Sequence, residues 1–205
     1  NRLVDAAGNR CREALKKRRA AAADATLRSV FEGAIRRLPV LEATIEATGP
    51  LTVGKPVGFK IRLKNVSDDG LVVVRSLDGS DVRMRYPYFT AEFRGPNGKL
   101  IPTGGIGRCG NCNPLTSADF KVLKPGEEFD PLGEGSFRPY QLQGWQTARA
   151  GKYEVELTVD YSATDSTLWN GPVERTLESK DDVLRLLSKV PKVKLKAKAE
   201  LIVTE

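Results

Sequence analysis

The stretch KYEVELTVDY, residues 152–161, alternates apolar and polar side chains over its whole length. Its odd-numbered positions carry Tyr, Val, Leu, Val and Tyr, and most of the even-numbered positions between them carry acids. Such alternation is typical of an antiparallel strand with one face in the core and the other in water. A strand of this kind needs a second strand of the same period beside it.

The stretch KVKLKAKAELIV, residues 192–203, has the same period. Lysines occupy its polar positions from Lys192 to Lys198, where the first stretch carries mostly acids. Opposite charges on facing positions stabilise a strand pair, so we predict that these two stretches pair with each other. A third alternating stretch, residues 57–63, places Val, Phe, Ile and Leu on one face.

Weaker strand patterns recur between turn sequences rich in Gly, Asp and Pro. We predict further strands at 42–48, 70–76, 82–94, 98–102, 119–124 and 136–142. One short helix is predicted at 179–190, where Ser179 is the cap and Pro191 follows the last turn. Many short strands separated by frequent turns are typical of a β-sandwich.

Three segments resemble strands of bacterial immunoglobulin-like or fibronectin-III-like sandwich domains. They are LTVGKPVGFKIRLKNVSD (51–68), LKPGEEFDP (123–131) and RAGKYEVELTVDYS (149–162). The resemblance covers residues 41–205 and implies a mainly β fold, an antiparallel immunoglobulin-like sandwich. It further implies that Tyr153, near the start of its strand, ties down a corner of the fold. It implies no catalytic residues.

Residues 1–40 differ from the rest of the chain in charge. They hold ten basic and four acidic side chains, and so carry +6 of the net charge of +7. One helical stripe of apolar residues precedes Pro39. It consists of Leu27, Val30, Phe31, Ala34, Ile35 and Leu38. We predict a basic amphipathic helical segment over 1–40, with one long helix or two over 9–38, followed by the sandwich over 41–205.

This helical segment is the predicted docking element, packing on its own sandwich or on a protein partner in a larger complex. The predicted partner-binding residues are Leu27, Val30, Phe31, Ile35, Leu38, Arg18 and Arg19. An anionic membrane surface or a nucleic acid would also attract the arginines. Both are less favoured, because the stripe has a single aromatic residue and residues 41–205 carry only 23 basic against 22 acidic groups.

The stretch RCGNCNP, residues 108–114, contains two of the three cysteines. A structural zinc site needs four ligands, and the chain has no histidine, so we predict no metal site. GIGRCG, residues 105–110, matches a dinucleotide-binding glycine pattern, but NCNP after it cannot begin the required helix. We therefore predict no cofactor. A disulfide among Cys11, Cys109 and Cys112 and three reduced thiols are both left open.

The absence of histidine excludes Ser-His-Asp and Cys-His catalysis within this chain. No pair of carboxylates stands out for glycoside chemistry, so no catalytic residue and no small-molecule substrate is assigned. The predicted function is a non-enzymatic structural or protein–protein interaction module. We expect it to be an accessory subunit of a bacterial envelope or secreted assembly.

Two alternative functions belong to other classes. A carbohydrate-binding module would stack sugars on exposed aromatic rings. The candidate rings are Trp145, Trp169, Tyr86, Tyr88 and Tyr140. A protease-inhibitor-like sandwich would present the loop 95–118. The sequence begins at Asn1 and its only methionine is Met84. Removal of a leader would fit a periplasmic, envelope or extracellular location, with the cytoplasm as the alternative.

Overall fold

The computed structural model of this protein describes residues 2–36, 38–76, 85–103, 114–133, 140–170 and 180–205. The backbone divides into two compact units, Asn1–Val40 and Leu41–Glu205.

The first unit contains two helices, α1 (Arg2–Ala21) and α2 (Ala25–Arg36). The guanidinium of Arg12 donates to the carbonyl oxygen of Pro39 at 2.7 Å, and a guanidinium nitrogen of Arg19 lies 4.0 Å from a carboxylate oxygen of Glu32. The residue nearer the end of α1, Arg19, contacts α2 itself, whereas the earlier residue, Arg12, contacts the chain beyond the end of α2. The two helices therefore form an antiparallel hairpin. Of the two forms that the sequence allowed, the helical segment thus adopts two helices.

The second unit is mainly β, as the alternating patterns predicted. Its strands are β1 (Leu41–Thr48), β2 (Gly58–Asn65), β3 (Leu71–Val74), β4 (Tyr88–Arg94), β5 (Leu100–Ile101), β6 (Phe120–Leu123), β7 (Glu128–Phe129), β8 (Gly151–Asp160) and β9 (Lys194–Val203). It also contains the helices α3 (Thr167–Asn170) and α4 (Lys180–Leu187). The paired strands described here are all antiparallel.

Two larger sheets have the strand orders β1-β2-β7 and β5-β4-β8-β9, and β3 pairs with β6 in a small third sheet. Within the four-stranded sheet, β8 and β9 pair along their full lengths, with Glu156 opposite Lys198 and Asp160 opposite Lys194. The predicted pairing of 152–161 with 192–203 is confirmed. Beyond the end of β9, Thr204 forms an isolated parallel bridge with Thr52.

Aromatic side chains from both larger sheets meet in one core. Phe59 of β2 packs edge-to-face on Phe93 of β4 with ring centroids 5.7 Å apart, and Trp145 stacks on Phe93 at 4.5 Å. The apolar positions of the alternating stretches 57–63 and 153–161 are all buried. They are Val57, Phe59, Ile61, Leu63, Tyr153, Val155, Leu157, Val159 and Tyr161. Alternation in the sequence therefore marks the inner face of each sheet.

Some predicted elements differ from the structure. In the strand predicted at 136–142, residues 136–139 lie outside the described residues and Tyr140–Leu142 form a 3₁₀ turn, after which the chain turns at Gly144, with φ +64°. Gln141 and Leu142 are both buried, which is not the alternating burial of a strand. The strand predicted at 82–94 begins, among the described residues, at Tyr88, since Pro87 before it has no N–H for a sheet ladder. The short strand β7 and the short helix α3 were not predicted. Ser179 lies outside the described residues.

Candidate protein-docking surface

The apolar stripe of α2 is covered along only part of its length. Phe31, Ala34 and Ile35 are half-buried, as is Leu38 beyond the end of the helix. Nearer the start of α2, Leu27 is 52% exposed and Val30 is 60% exposed. The predicted stripe is therefore divided into a half-buried end and an exposed end.

Leu27 and Val30 are three residues apart, so their side chains lie on one face of α2. The other large apolar side chains exposed in the described parts of the chain each belong to a different element. They are Leu100 on β5, Val122 on β6, Leu168 on α3 and Ile202 on β9. Scattered single apolar side chains are ordinary on a protein surface. The adjacent pair on α2 is less ordinary and is a candidate contact surface.

Asp24 fixes the point at which α2 begins. One of its carboxylate oxygens accepts hydrogen bonds from the backbone N–H groups of Thr26 at 2.5 Å and Leu27 at 3.4 Å. These two N–H groups lower the pKa of Asp24 below its usual value. Side-chain capping of this kind satisfies donors that the first turn leaves unpaired. It holds Leu27 in the first turn, next to the loop between the helices.

The basic side chains of α1 are partly engaged within the hairpin. Lys16 pairs with Glu13 at 2.9 Å and Arg19 approaches Glu32. Lys17 and Arg18 are exposed and form no ion pair or hydrogen bond with the part of the chain that the structure describes. Of the two predicted arginines, Arg18 is thus available to a partner, whereas Arg19 is partly neutralised by Glu32. Lys17 was missed as a site residue, although it belongs to the basic run KKRR at 16–19.

The two cations without a described partner and the exposed aliphatic side chains lie near the same end of the hairpin. Lys17 and Arg18 belong to the end of α1, Leu27 and Val30 to the first half of α2, and residues 22–24 join the two helices. Because the helices are antiparallel, both sets are near this loop. We call Lys17, Arg18, Leu27 and Val30 the hairpin tip. Phe31, Ile35 and Leu38 lie farther from the loop and are half-buried.

The outer face of β8 and β9 is also highly charged, but its charges compensate one another. The ammonium nitrogen of Lys196 lies 2.5 Å from a carboxylate oxygen of Glu156, and that of Lys198 lies 3.0 Å from carboxylate oxygens of both Glu154 and Glu156. The ammonium nitrogen of Lys194 lies 3.2 Å from a carboxylate oxygen of Asp160. The hydrogen bonds from Lys196 and Lys198 lower the pKa of Glu156. Burial would raise the pKa of Asp160, but hydrogen bonds from Ser162 and Lys194 outweigh it and leave the pKa lowered. This face holds two strands together, and it leaves little net charge for a partner.

A buried arginine, Arg85, was not singled out by the sequence. It is 1% exposed, and its guanidinium donates to the side-chain oxygen of Ser76 at 3.0 Å and to the carbonyl oxygen of Tyr86 at 3.2 Å. The nearby Tyr161 hydroxyl donates to the carbonyl oxygen of Val74 at 2.6 Å. Burial raises the pKa of Tyr161, partly opposed by the positive charge of Arg85. The Arg85–Ser76 contact holds residue 85 against the segment that follows β3, and the Tyr161–Val74 contact holds the end of β3 against the residue that follows β8. Both roles are structural.

The aromatic residues considered for sugar stacking lie mainly in the core. Trp145 and Trp169 are 7% and 1% exposed, and the indole N–H of Trp169 donates to the carbonyl oxygen of Ala163 at 3.1 Å. Tyr86 and Tyr88 are half-buried and pack on each other with ring centroids 3.9 Å apart. The side chain of Tyr140 lies outside the described part of the chain. Neither indole presents an exposed face.

Cys11 is exposed and carries a free thiol. Cys109 and Cys112 lie outside the described residues, as do the motif GIGRCG and residues 104–113 of the loop 95–118. The pairings of Cys11 with Cys109 or Cys112 are not formed in this structure, because the thiol of Cys11 is free. A disulfide between Cys109 and Cys112, and a protease-binding loop, stay predictions.

Within the described ranges, no cluster of three or more Cys, Asp or Glu side chains could hold a metal ion. No helix in those ranges is both long and apolar enough to cross a membrane. Comparison with known proteins gives no match, either to a protein-family model or to a curated protein.

Proposed function

We propose that this protein is a non-enzymatic protein–protein interaction module, in which an immunoglobulin-like β-sandwich carries a helical docking hairpin. We further propose that it serves as an accessory subunit of a bacterial envelope or secreted assembly. The hairpin tip carries this proposal, because it combines two adjacent exposed aliphatic side chains with two cations that have no partner among the described residues. A partly apolar patch beside positive charge is typical of a surface that a partner covers.

The strand orders support the immunoglobulin-like arrangement. The order β1-β2-β7 corresponds to strands A-B-E of an immunoglobulin sandwich, and β5-β4-β8-β9 corresponds to C′-C-F-G. The chain after β1 also fits this arrangement. Thr52 bridges in parallel to Thr204, just beyond β9, so the chain that begins in the β1-β2-β7 sheet continues to the edge strand of the other large sheet.

The corner at Tyr153 gives separate support. The Tyr153 hydroxyl donates to the carbonyl oxygen of Arg149, four residues earlier, at 2.9 Å. It also lies 2.5 Å from the side-chain oxygen of Thr147. A tyrosine near the start of strand F that bonds to backbone a few residues upstream is a hallmark of this class of sandwich. The hydrogen bond of Tyr153, near the start of β8, is of this kind and so supports the proposed arrangement.

A binding role is also what the chemistry of the chain favours. There is no histidine for acid–base catalysis. The carboxylates with lowered pKa values on β8, Glu156 and Asp160, are engaged by lysines of β9. Carbohydrate stacking is not proposed in its place, since both indole rings are buried.

Site-specific photo-crosslinking in the native host tests the docking function. The second unit, Leu41–Glu205, which we call the body, offers closely matched control positions. Leu100 and Val122 are 54% and 60% exposed, close to the values of Leu27 and Val30. A photoreactive amino acid at position 27 or 30 should link the chain to one discrete protein, and the same group at 100 or 122 should not. Equal labelling from all four positions, or none from the tip, would contradict the proposal.

The captured protein can then be titrated with purified full-length chain. The double variant Leu27→Gln/Val30→Thr should bind it at least about tenfold more weakly, because truncating a buried anchor of an interface typically costs more than about 1 kcal/mol. The matched variant Leu100→Gln/Val122→Thr should bind like the wild type. Equal binding by the two variants would remove the tip from the interface.

A further inference from the structure

The hairpin tip has a surplus of positive charge that the described residues of its own unit do not neutralise. Glu13 is paired with Lys16, Glu32 approaches Arg19, and Asp24 caps α2. Each acid of the hairpin whose side chain the structure describes is thus occupied within the hairpin. Lys17 and Arg18 have no such partner in the described chain.

Resting on the proposed docking function, we infer that the tip fits an acidic protein partner, at a shallow apolar depression rimmed by carboxylates. The two aliphatic side chains occupy the depression and the two cations meet the rim. Residues three apart on a helix place their Cβ atoms about 5–6 Å from each other, so the depression need hold only two side chains. Complementary charge around such a centre raises the association rate and selects the partner.

Other classes of binding partner account for fewer features of the hairpin tip. A second copy of the chain would bring two hairpins of net charge +6 together, and like charges oppose that contact. A lipid surface usually takes a longer apolar face with Trp, Phe or several Leu, whereas the exposed end of the stripe is Leu27 and Val30 alone. A nucleic acid would use the cations but would leave the aliphatic pair without a role.

A peptide-display selection against the full-length chain tests this inference with a defined probe, a library of random dodecapeptides. Selected peptides should combine Asp or Glu with large apolar residues. Synthetic copies should bind Leu27→Gln/Val30→Thr and Lys17→Gln/Arg18→Gln each about tenfold more weakly than the wild type, and Leu100→Gln/Val122→Thr unchanged. Raising the salt from about 50 mM to about 500 mM should weaken wild-type binding and affect Lys17→Gln/Arg18→Gln much less.

Tip-dependent binding to peptides without acidic enrichment would overturn the acidic partner while leaving the docking function intact. Self-association of the wild type that the tip variants lose would lead to the same conclusion. Tip-dependent binding to phosphatidylglycerol vesicles or duplex DNA would instead overturn both the acidic partner and the protein–protein docking function. Peptides that bind all variants equally, together with no tip-specific photo-crosslink, would defeat both the inference and the docking function. A photo-crosslink from position 27 only to residues 41–205 of the same chain would also defeat both.

Discussion

Apolar side chains recur as regularly in α2 as in β8, yet the two elements cover them differently. In β8, every inward position from Tyr153 to Val159 is buried, and the ring of Trp145 packs edge-to-face on Tyr153 and stacks on Phe93 of the neighbouring strand β4. In α2, Phe31 and Ile35 are half-buried while Leu27 and Val30 are exposed. Periodicity therefore tells which face is apolar, and the surrounding structure decides whether that face becomes core or surface.

The same contrast holds for charge. The acids of β8 meet the lysines of β9 in register, so the charges of that face compensate one another. In the hairpin, the basic side chains outnumber the acids and two of them have no partner in the described chain. A compensated face is typical of structure, and an uncompensated face beside exposed apolar groups is typical of binding.

The largest expected difference between the two units concerns their apolar side chains. Phe93→Ala should lower the free energy of unfolding by about 3–5 kcal/mol, because it removes a fully buried ring that contacts Phe59 and Trp145. Leu27→Ala should change it by no more than about 0.5 kcal/mol. Urea denaturation followed by far-UV circular dichroism measures both. If Leu27→Ala lowered the free energy of unfolding as much as Phe93→Ala, Leu27 would belong to a core, and the contrast between an exposed stripe in α2 and a buried one in β8 would be wrong.

A smaller effect is expected from the hydrogen-bonded corner at Tyr153. Tyr153→Phe removes the hydroxyl that bonds to the carbonyl of Arg149 and should lower the free energy of unfolding by about 1–2 kcal/mol. Tyr86→Phe is the control, because the Tyr86 hydroxyl makes no hydrogen bond within the described residues, and it should cost less than about 0.5 kcal/mol. Equal costs in the same denaturation experiment would show that the corner does not stabilise the body.

The ion pairs of β8 and β9 predict an acid dependence. The pKa values of Glu156 and Asp160 are lower in the folded chain than their ordinary values of 4.5 and 3.8. Their contribution to stability is therefore present above those ordinary values and is lost as pH falls through the folded pKa values. The free energy of unfolding, measured by urea denaturation at a series of pH values, should be level above about pH 5 and should decline below it.

Two variants sharpen this acid dependence. Glu156→Gln should reduce the decline because it removes a titrating partner of Lys196 and Lys198. Glu92→Gln is the control. Glu92 faces Glu156 directly across β4 and β8, is exposed, and forms no ion pair with the described residues. If Glu92→Gln flattened the curve as much as Glu156→Gln, the ion pairs to β9 would not be its cause.

The smallest effect is expected at the cap of α2. Asp24→Ala removes the acceptor for the N–H groups of Thr26 and Leu27, so the first turn should fray and the helical signal at about 222 nm should fall slightly. Asp24→Asn keeps an acceptor and should retain most of the signal. The unfolding of the body, followed by tryptophan fluorescence, should not change in either variant. A shift there would mean that the two units unfold as one.

Local pattern was enough to predict most of the β body. The pairing of β8 with β9 followed from two matching periods of opposite charge, and it is observed. The strand β7 was missed because two residues, Glu128 and Phe129, show no period; their pairing with Lys64 and Leu63 of β2 is non-local. The 3₁₀ turn at 140–142 was mistaken for a strand because consecutive buried residues do not reveal which backbone they adopt.

For the candidate site, the sequence by itself determined that residues 1–40 are basic, helical and apolar along one stripe. These properties follow from composition and residue spacing, which do not depend on how the chain folds. Only the tertiary structure separated Leu27 and Val30 from the half-buried end of the stripe and placed Arg19 near Glu32. It also left Lys17 and Arg18 without a partner in the part of the chain that is described. The physical reason is that exposure and ion pairing depend on groups distant in sequence, which only folding brings together.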